Sequence, residues 1–194
     1  MAHSGSGAMS GPLPLAGLIR TFMYSSHPFW SQEVPRVDGQ LLLTPCPGTQ
    51  QVPLPLALGQ LRFAGAHGVV TLMTATELAE LDLAHLGRQV EQEGMRWFHL
   101  PIEDDQAPDA DFEHAWQLAL PQLSALLHDG KHLVIHCQGG SGRTGLVAAA
   151  LLISLGQPQQ EAMAAIKAHR PKAFTLPAHR QWLDALATRL DQAD

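Results

Sequence analysis

Short apolar, β-favouring runs alternate along this chain with stretches of helical spacing, and no two-residue hairpin signal joins any two of the runs. Parallel strands need helical crossovers, so this alternation predicts an α/β chain. The expected architecture is a central, mostly parallel sheet of four to five strands with helices on both faces. Strands are expected over 41–44, 69–73, 97–100 and 132–136. Helices are expected over 56–66, 75–81, 83–93, 112–128, 144–155, 158–169 and 177–190, with Asp111 as the N-cap of the fourth. Residues 1–11 read as a flexible leader or expression scar, and 12–39 as an irregular arm docked in part through Phe29 and Trp30. Residues 40–194 read as one folded domain, with no internal repeat.

Apolar residues make up 45% of the chain, enough for a real core. A formal charge of -6 argues against nucleic-acid binding by phosphate neutralisation. It leaves room for a small anion site, because a few backbone amides and one arginine can hold a phosphate in an acidic protein. Two distant cysteines, Cys46 and Cys137, suggest no disulfide framework and fit a reducing, cytoplasmic setting. The longest uncharged apolar run, 146–153, is far short of a membrane span. No secretory signal pattern begins the chain. No oligomeric state is implied.

The chemistry concentrates in one segment, His136-Cys137-Gln138-Gly139-Gly140-Ser141-Gly142-Arg143-Thr144-Gly145. A β run feeds it and an uncharged helix follows it. Three glycines in four residues allow a tight bend with positive φ where needed. Such a loop can turn the N–H groups of Gln138, Gly139, Gly140, Ser141 and Gly142 inward around an anion, with the helix dipole behind them. A thiol at the mouth of such a nest is activated as a nucleophile. Six residues on, the planar fork of Arg143 can return to grip two phosphate oxygens. The Thr144 hydroxyl can donate to the sulfur.

His136, Cys137, Gly140, Arg143 and Thr144 match His-Cys-x-x-Gly-x-x-Arg-Ser/Thr, so the chain resembles the cysteine-dependent protein tyrosine and dual-specificity phosphatases. Pro101-Ile102-Glu103-Asp104 resembles their general-acid loop, upstream of the cysteine. Leu43-Thr44-Pro45-Cys46-Pro47-Gly48 is similar to the cyclin-dependent kinase-associated branch. The resemblance covers roughly residues 40–190 and implies that 40–194 form a catalytic domain. It implies a metal-free reaction without cofactors on a phosphorylated protein or peptide: phosphotyrosine, and in addition phosphoserine or phosphothreonine. Cys137 would attack phosphorus while Asp104 protonates the leaving oxygen, and water activated by Asp104 would then hydrolyse the cysteinyl phosphate. The loop carries Gly139 where many relatives have alanine. The glutamine that often orients the hydrolytic water aligns with His179, and Gln181 is nearby.

Other readings compete. Asp105 is the alternative acid. Gly140, Gly142 and Gly145 also fit a dinucleotide G-x-G-x-x-G, but helices rather than a second strand follow. A catalytically weak or inactive phosphate-binding relative would keep the same loop. A sulfurtransferase or an arsenate reductase also uses a Cys-x5-Arg loop, and the Asp104 loop disfavours sulfur transfer. His136 reads as a prop beneath the loop. His132 and His136 share a strand face with no third ligand, so no metal site is expected. Cys46 reads as structural, with a disulfide to Cys137 as the alternative.

Overall fold

The computed structural model describes residues 26–192. The leader and the first half of the predicted arm lie outside them. Five strands form one sheet in the order β1-β2-β5-β3-β4. They are β1 (Trp30–Glu33), β2 (Gln40–Pro45), β3 (Ala66–Thr71), β4 (Arg96–His99) and β5 (His132–Cys137). All neighbouring pairs are parallel except β1 with β2. The α/β expectation therefore holds, with β5 at the centre. The helices are α1 (Leu54–Phe63), α2 (Ala75–Glu80), α3 (Leu86–Gln92), α4 (Ala110–His128), α5 (Gly142–Ser154), α6 (Gln159–His169) and α7 (Pro177–Asp191).

The period-2 alternation of parallel strands divides the core into two layers. Leu41, Leu43, Leu133 and Ile135 face one side, where they pack with α4, α5, α6 and α7. Leu42, Val69 and Val134 face the other, against α1, α2 and α3. Helix α5 is buried from Arg143 to Ile153, which explains its lack of charge after the arginine: it is the centre of its layer rather than a surface helix. Gly145 lets it approach the α6–α7 connection, for a Cβ there would lie 2.7 Å from that of Ala173.

Three local expectations shift. Within the expected irregular arm, residues 30–33 form β1, paired antiparallel from Trp30↔Leu43 to Glu33↔Gln40. The sequence Trp-Ser-Gln-Glu has no apolar alternation, because three of its four residues are exposed. It is held as an edge strand by the open hydrogen-bonding side of β2. Helix α4 begins earlier than expected, with Asp109 as its N-cap: Asp109 Oδ1 accepts from Phe112 N at 2.8 Å. Asp111 instead sits in the first turn, where a carboxylate suits the helix dipole. Helix α1 starts two residues early because prolines are tolerated in a first helical turn. It stops before Gly65, whose φ is +96°, so β3 begins at Ala66.

Candidate active site

Strand β5 ends at Cys137, level with Pro45 on β2 and one residue beyond the pair Thr71↔His136 on β3. The chain then turns through residues 138–141 into α5. Gly140 makes the bend possible. Its φ is +71°, and a Cβ there would lie 2.5 Å from Pro45 N and 2.6 Å from Thr44 O. Only glycine combines that dihedral with so close a backbone approach. Gly139 and Gly142 have open space where a Cβ would stand, so their role is not steric. Ser141, at the N-cap of α5, makes no side-chain cap bond, which leaves first-turn N–H groups for an anion.

A hydrogen-bonded relay supports the loop from below. Trp97 Nε1 donates to Thr71 Oγ1 at 2.9 Å, and that hydroxyl lies 2.8 Å from His136 Nε2. His136 Nδ1 is 3.4 Å from the Cys137 carbonyl. A carbonyl only accepts, so Nδ1 carries the proton and Nε2 accepts from Thr71, which leaves a neutral imidazole. Burial pushes the His136 pKa down to about 3, in agreement with that state.

Arg143, on the first turn of α5, is 2% exposed. Its fork is bidentate on Glu77: Nη1 donates to Oε2 and Nη2 to Oε1, each at 2.8 Å. Nη1 also donates to Ile102 O at 2.9 Å, and Nη2 lies 3.2 Å from Asp104 Oδ1. Nε is buried without a partner. Burial works against both charges of the Arg143–Glu77 pair. The bidentate contact outweighs it, holding Arg143 above its ordinary range and Glu77 below the usual carboxylate range.

Glu77 is the site residue that sequence reasoning missed. The available signal was Thr74-x-x-Glu77 ahead of α2, a capping box. Thr74 N donates to Glu77 Oε2 at 2.8 Å, and Glu77 N donates to Thr74 Oγ1 at 3.2 Å. The cap thus fixes the carboxylate that fixes the arginine.

The segment 101–106 is tied to the residue that follows β3 by Ile102 N donating to Leu72 O at 3.1 Å. It turns over 103–106 through Gln106 N to Glu103 O, with Asp105 at φ +56°. That turn puts Asp104, and not Asp105, on Arg143, although both border the cavity. His179, buried on α7, lies 2.8 Å from Gln106 O, so its Nε2 is the donor. It clamps the acid loop, while Gln181 is exposed. The Thr144 hydroxyl is buried with no hydrogen-bond partner. Cys46 and Cys137 are both free thiols.

Cys137, Gln138, Gly139, Ser141, Gly142 and Arg143 line a cavity of about 560 Å³, which Asp104 and Asp105 flank and Lys172 and Thr175 close. Among the described residues no cluster of His, Cys, Asp or Glu could hold a metal ion. A thiol, a guanidinium, a helix N-terminus and an exposed carboxylate meet in one open pocket.

A family model described as "Polymorphic toxin system, DSP-PTPase phosphatase" matches residues 53–157, just over half of the chain, including Asp104 and the whole cysteine loop. The chain belongs to this phosphatase family. Cyclin-dependent kinase inhibitor 3 of Rattus norvegicus is 34% identical over 104 residues, 52% of this chain and 48% of the relative. The protein of that name from Homo sapiens is 31% identical over 96 residues, 50% and 44% respectively. The match thus spans about half the length of these curated relatives. A crystal structure of kinase-associated phosphatase, with its catalytic-site cysteine replaced by serine, has a TM-score of 0.74 at 23% identity. It covers 84% of this chain and 97% of that one. The active form of the phosphatase Tk-PTP has a TM-score of 0.63 at 27% identity, covering 82% and 97%. This family member thus resembles the kinase-associated phosphatases and is built on a single α/β domain.

Proposed function

We propose that the chain hydrolyses phosphate monoesters on proteins through a cysteinyl-phosphate intermediate. One observation carries this reading: Cys137, the α5 N-terminus, Arg143 and Asp104 share a cavity. In the proposed first step Cys137 Sγ attacks phosphorus as its bond to the substrate oxygen breaks, and Asp104 gives that oxygen a proton. Asp104 then takes a proton from water, whose oxygen attacks phosphorus and expels the thiolate. The loop N–H groups and Arg143 Nε hold the equatorial oxygens throughout. The second hydrogen of Arg143 Nη2, which now faces Asp104, completes the grip once phosphate displaces that exposed carboxylate. Thr144, with its buried hydroxyl free, donates to the departing sulfur. His136 supports the loop from beneath through the Cys137 carbonyl.

The residues lining the cavity include no aromatic side chain, which supports phosphoserine and phosphothreonine as substrates beside phosphotyrosine. Residues 40–194 would act as the catalytic domain in a reducing, cytoplasmic setting. No described helix is long and apolar enough to cross a membrane.

The test is hydrolysis of p-nitrophenyl phosphate in EDTA by wild type and Cys137→Ser. Turnover confined to the wild type is the expected result. An inactive reduced wild type that still binds phosphopeptide would replace this reading with a phosphate-binding relative.

A further inference from the structure

We infer that Arg170 is a buried cation behind the active site, a positioning residue that favours the thiolate form of Cys137 from beneath the loop. This rests on the phosphatase reading for its purpose, though not for its test.

Arg170 ends α6 and is 5% exposed. Its Nη2 donates to Leu43 O at 2.7 Å and its Nη1 to His169 O at 3.1 Å, while Nε is buried without a partner. The Trp30 ring covers the guanidinium, 3.7 Å from its centre. Among the described residues no carboxylate lies within ion-pair distance of it, whereas Arg143 has Glu77 and Asp104. A guanidinium does not shed its proton in a protein, and a buried charge without a counter-charge is costly. An anion is needed nearby.

The fold points to Cys137 as that anion. Leu43, which Arg170 grips, lies two residues before Pro45, the ladder partner of Cys137. The connection that Arg170 opens carries Ala173 onto Gly145 and brings Lys172 and Thr175 to the wall of the cysteine cavity. Burial lowers the Arg170 pKa, and negative charge on Cys137 opposes that effect. The other groups around the thiol are Arg143 from α5, Glu77 from α2, Asp104 and Asp105 from the acid loop, Lys172, the neutral His136 and the protonated Cys46. Glu77 and Asp104 are engaged by Arg143, and Asp105 is exposed to solvent. The thiolate is the anion left for Arg170. A purely structural Arg170 would tie Leu43 O and stack on Trp30 without touching the ionisation of Cys137.

The discriminating experiment is the pH dependence of Cys137 alkylation by iodoacetamide in the reduced, folded chain, read by peptide mass spectrometry to separate it from Cys46. In Arg170→Met and Arg170→Gln the alkylation midpoint is expected to rise by about 0.5–1.5 pH units. Arg170→Lys, which keeps the charge, should stay near wild type even though all three variants lower the melting temperature. Unchanged midpoints in folded neutral variants would overturn the inference. If the methionine variant does not fold, the glutamine variant, which can still donate to Leu43 O, carries the comparison. Trp30→Ala gives an independent reading: uncovering the guanidinium to solvent should raise the midpoint by a smaller amount, and no change counts against the coupling. Alkylation requires no turnover, so loss of the phosphatase reading would appear separately, as a wild type that fails to hydrolyse p-nitrophenyl phosphate.

Discussion

Two adjacent parallel strands each carry a cysteine at or just past their ends, at nearly the same level of the sheet, and the two thiols have opposite surroundings. Cys137 closes β5, while Cys46 follows β2 and is joined to the first loop by its N–H donating to Gln138 O at 3.1 Å. Cys137 belongs to the α5 layer and opens into the cavity. Cys46 is fully buried in the opposite layer among Leu54, Leu58 and Met73, and its loop is closed by Thr49 bonding back to the Cys46 carbonyl. Burial, then the charges of Cys137 and Glu77, push the Cys46 thiol up to about 12. Placement in opposite layers also explains why both thiols are free. The difference teaches that a cysteine at a strand end opens to a cavity where a glycine loop and a helix N-terminus follow it, and is walled into the core where they do not.

Several substitutions probe that contrast. Cys137→Ser should lower turnover by more than about 10⁴-fold, whereas Cys46→Ala should leave it within about twofold; steady-state hydrolysis of p-nitrophenyl phosphate compares them directly. Equal losses would erase the distinction. Asp104→Ala should reduce kcat on an aryl phosphopeptide by roughly 10²–10⁴, with Asp105→Ala near wild type. The reverse ranking would transfer the acid role to Asp105. Glu77→Gln removes the charge that aligns Arg143, and a drop of about 10–100-fold in kcat/KM is expected. A silent Glu77→Gln would mean that the Ile102 carbonyl and Asp104 suffice to hold the fork.

Stability against pH sharpens the comparison from the structural side. His136 has a folded pKa depressed to about 3, so the unfolded chain binds the extra proton between that value and about 6.5. Its contribution is present above about 6.5 and is lost as pH falls towards 3, by an amount on the order of a few kcal/mol. Chemical denaturation at pH 7 and pH 4.5 checks this, and the slope should flatten in a folded His136→Asn variant. Cys46 works in the other direction. Its folded pKa lies above the ordinary 9.0, so its contribution is present below 9 and is lost as pH rises further. The smallest effect expected is the gentler alkaline loss of stability in Cys46→Ala, which itself costs about 1 kcal/mol at neutral pH.

Much of the molecule was legible in contiguous stretches. The β-branched runs and their helical neighbours announced four of the five strands and all seven helices, because parallel core strands are apolar on both faces and helices carry their own period. The thiol, the glycines and the arginine could be picked out together because they occupy one short segment. What escaped was short, polar or distant. Strand β1 has no periodic signal of its own and exists through the edge of β2. Glu77 and Arg170 lie outside the cysteine segment and carry no motif of the site. His179 was aligned with a water-orienting role, and its clamp on Gln106 spans 73 residues.

The sequence by itself determined the cysteine loop, since a bend that needs positive φ at Gly140 and a six-residue return from Cys137 to Arg143 are properties of one continuous backbone. Only the tertiary structure decided that Glu77, 66 residues away, aligns that arginine, that Asp104 rather than Asp105 meets it, and that Cys46 is walled into the layer opposite Cys137. Those outcomes depend on strand order and register, which bring remote side chains together by packing a whole sheet, and no local spacing encodes them.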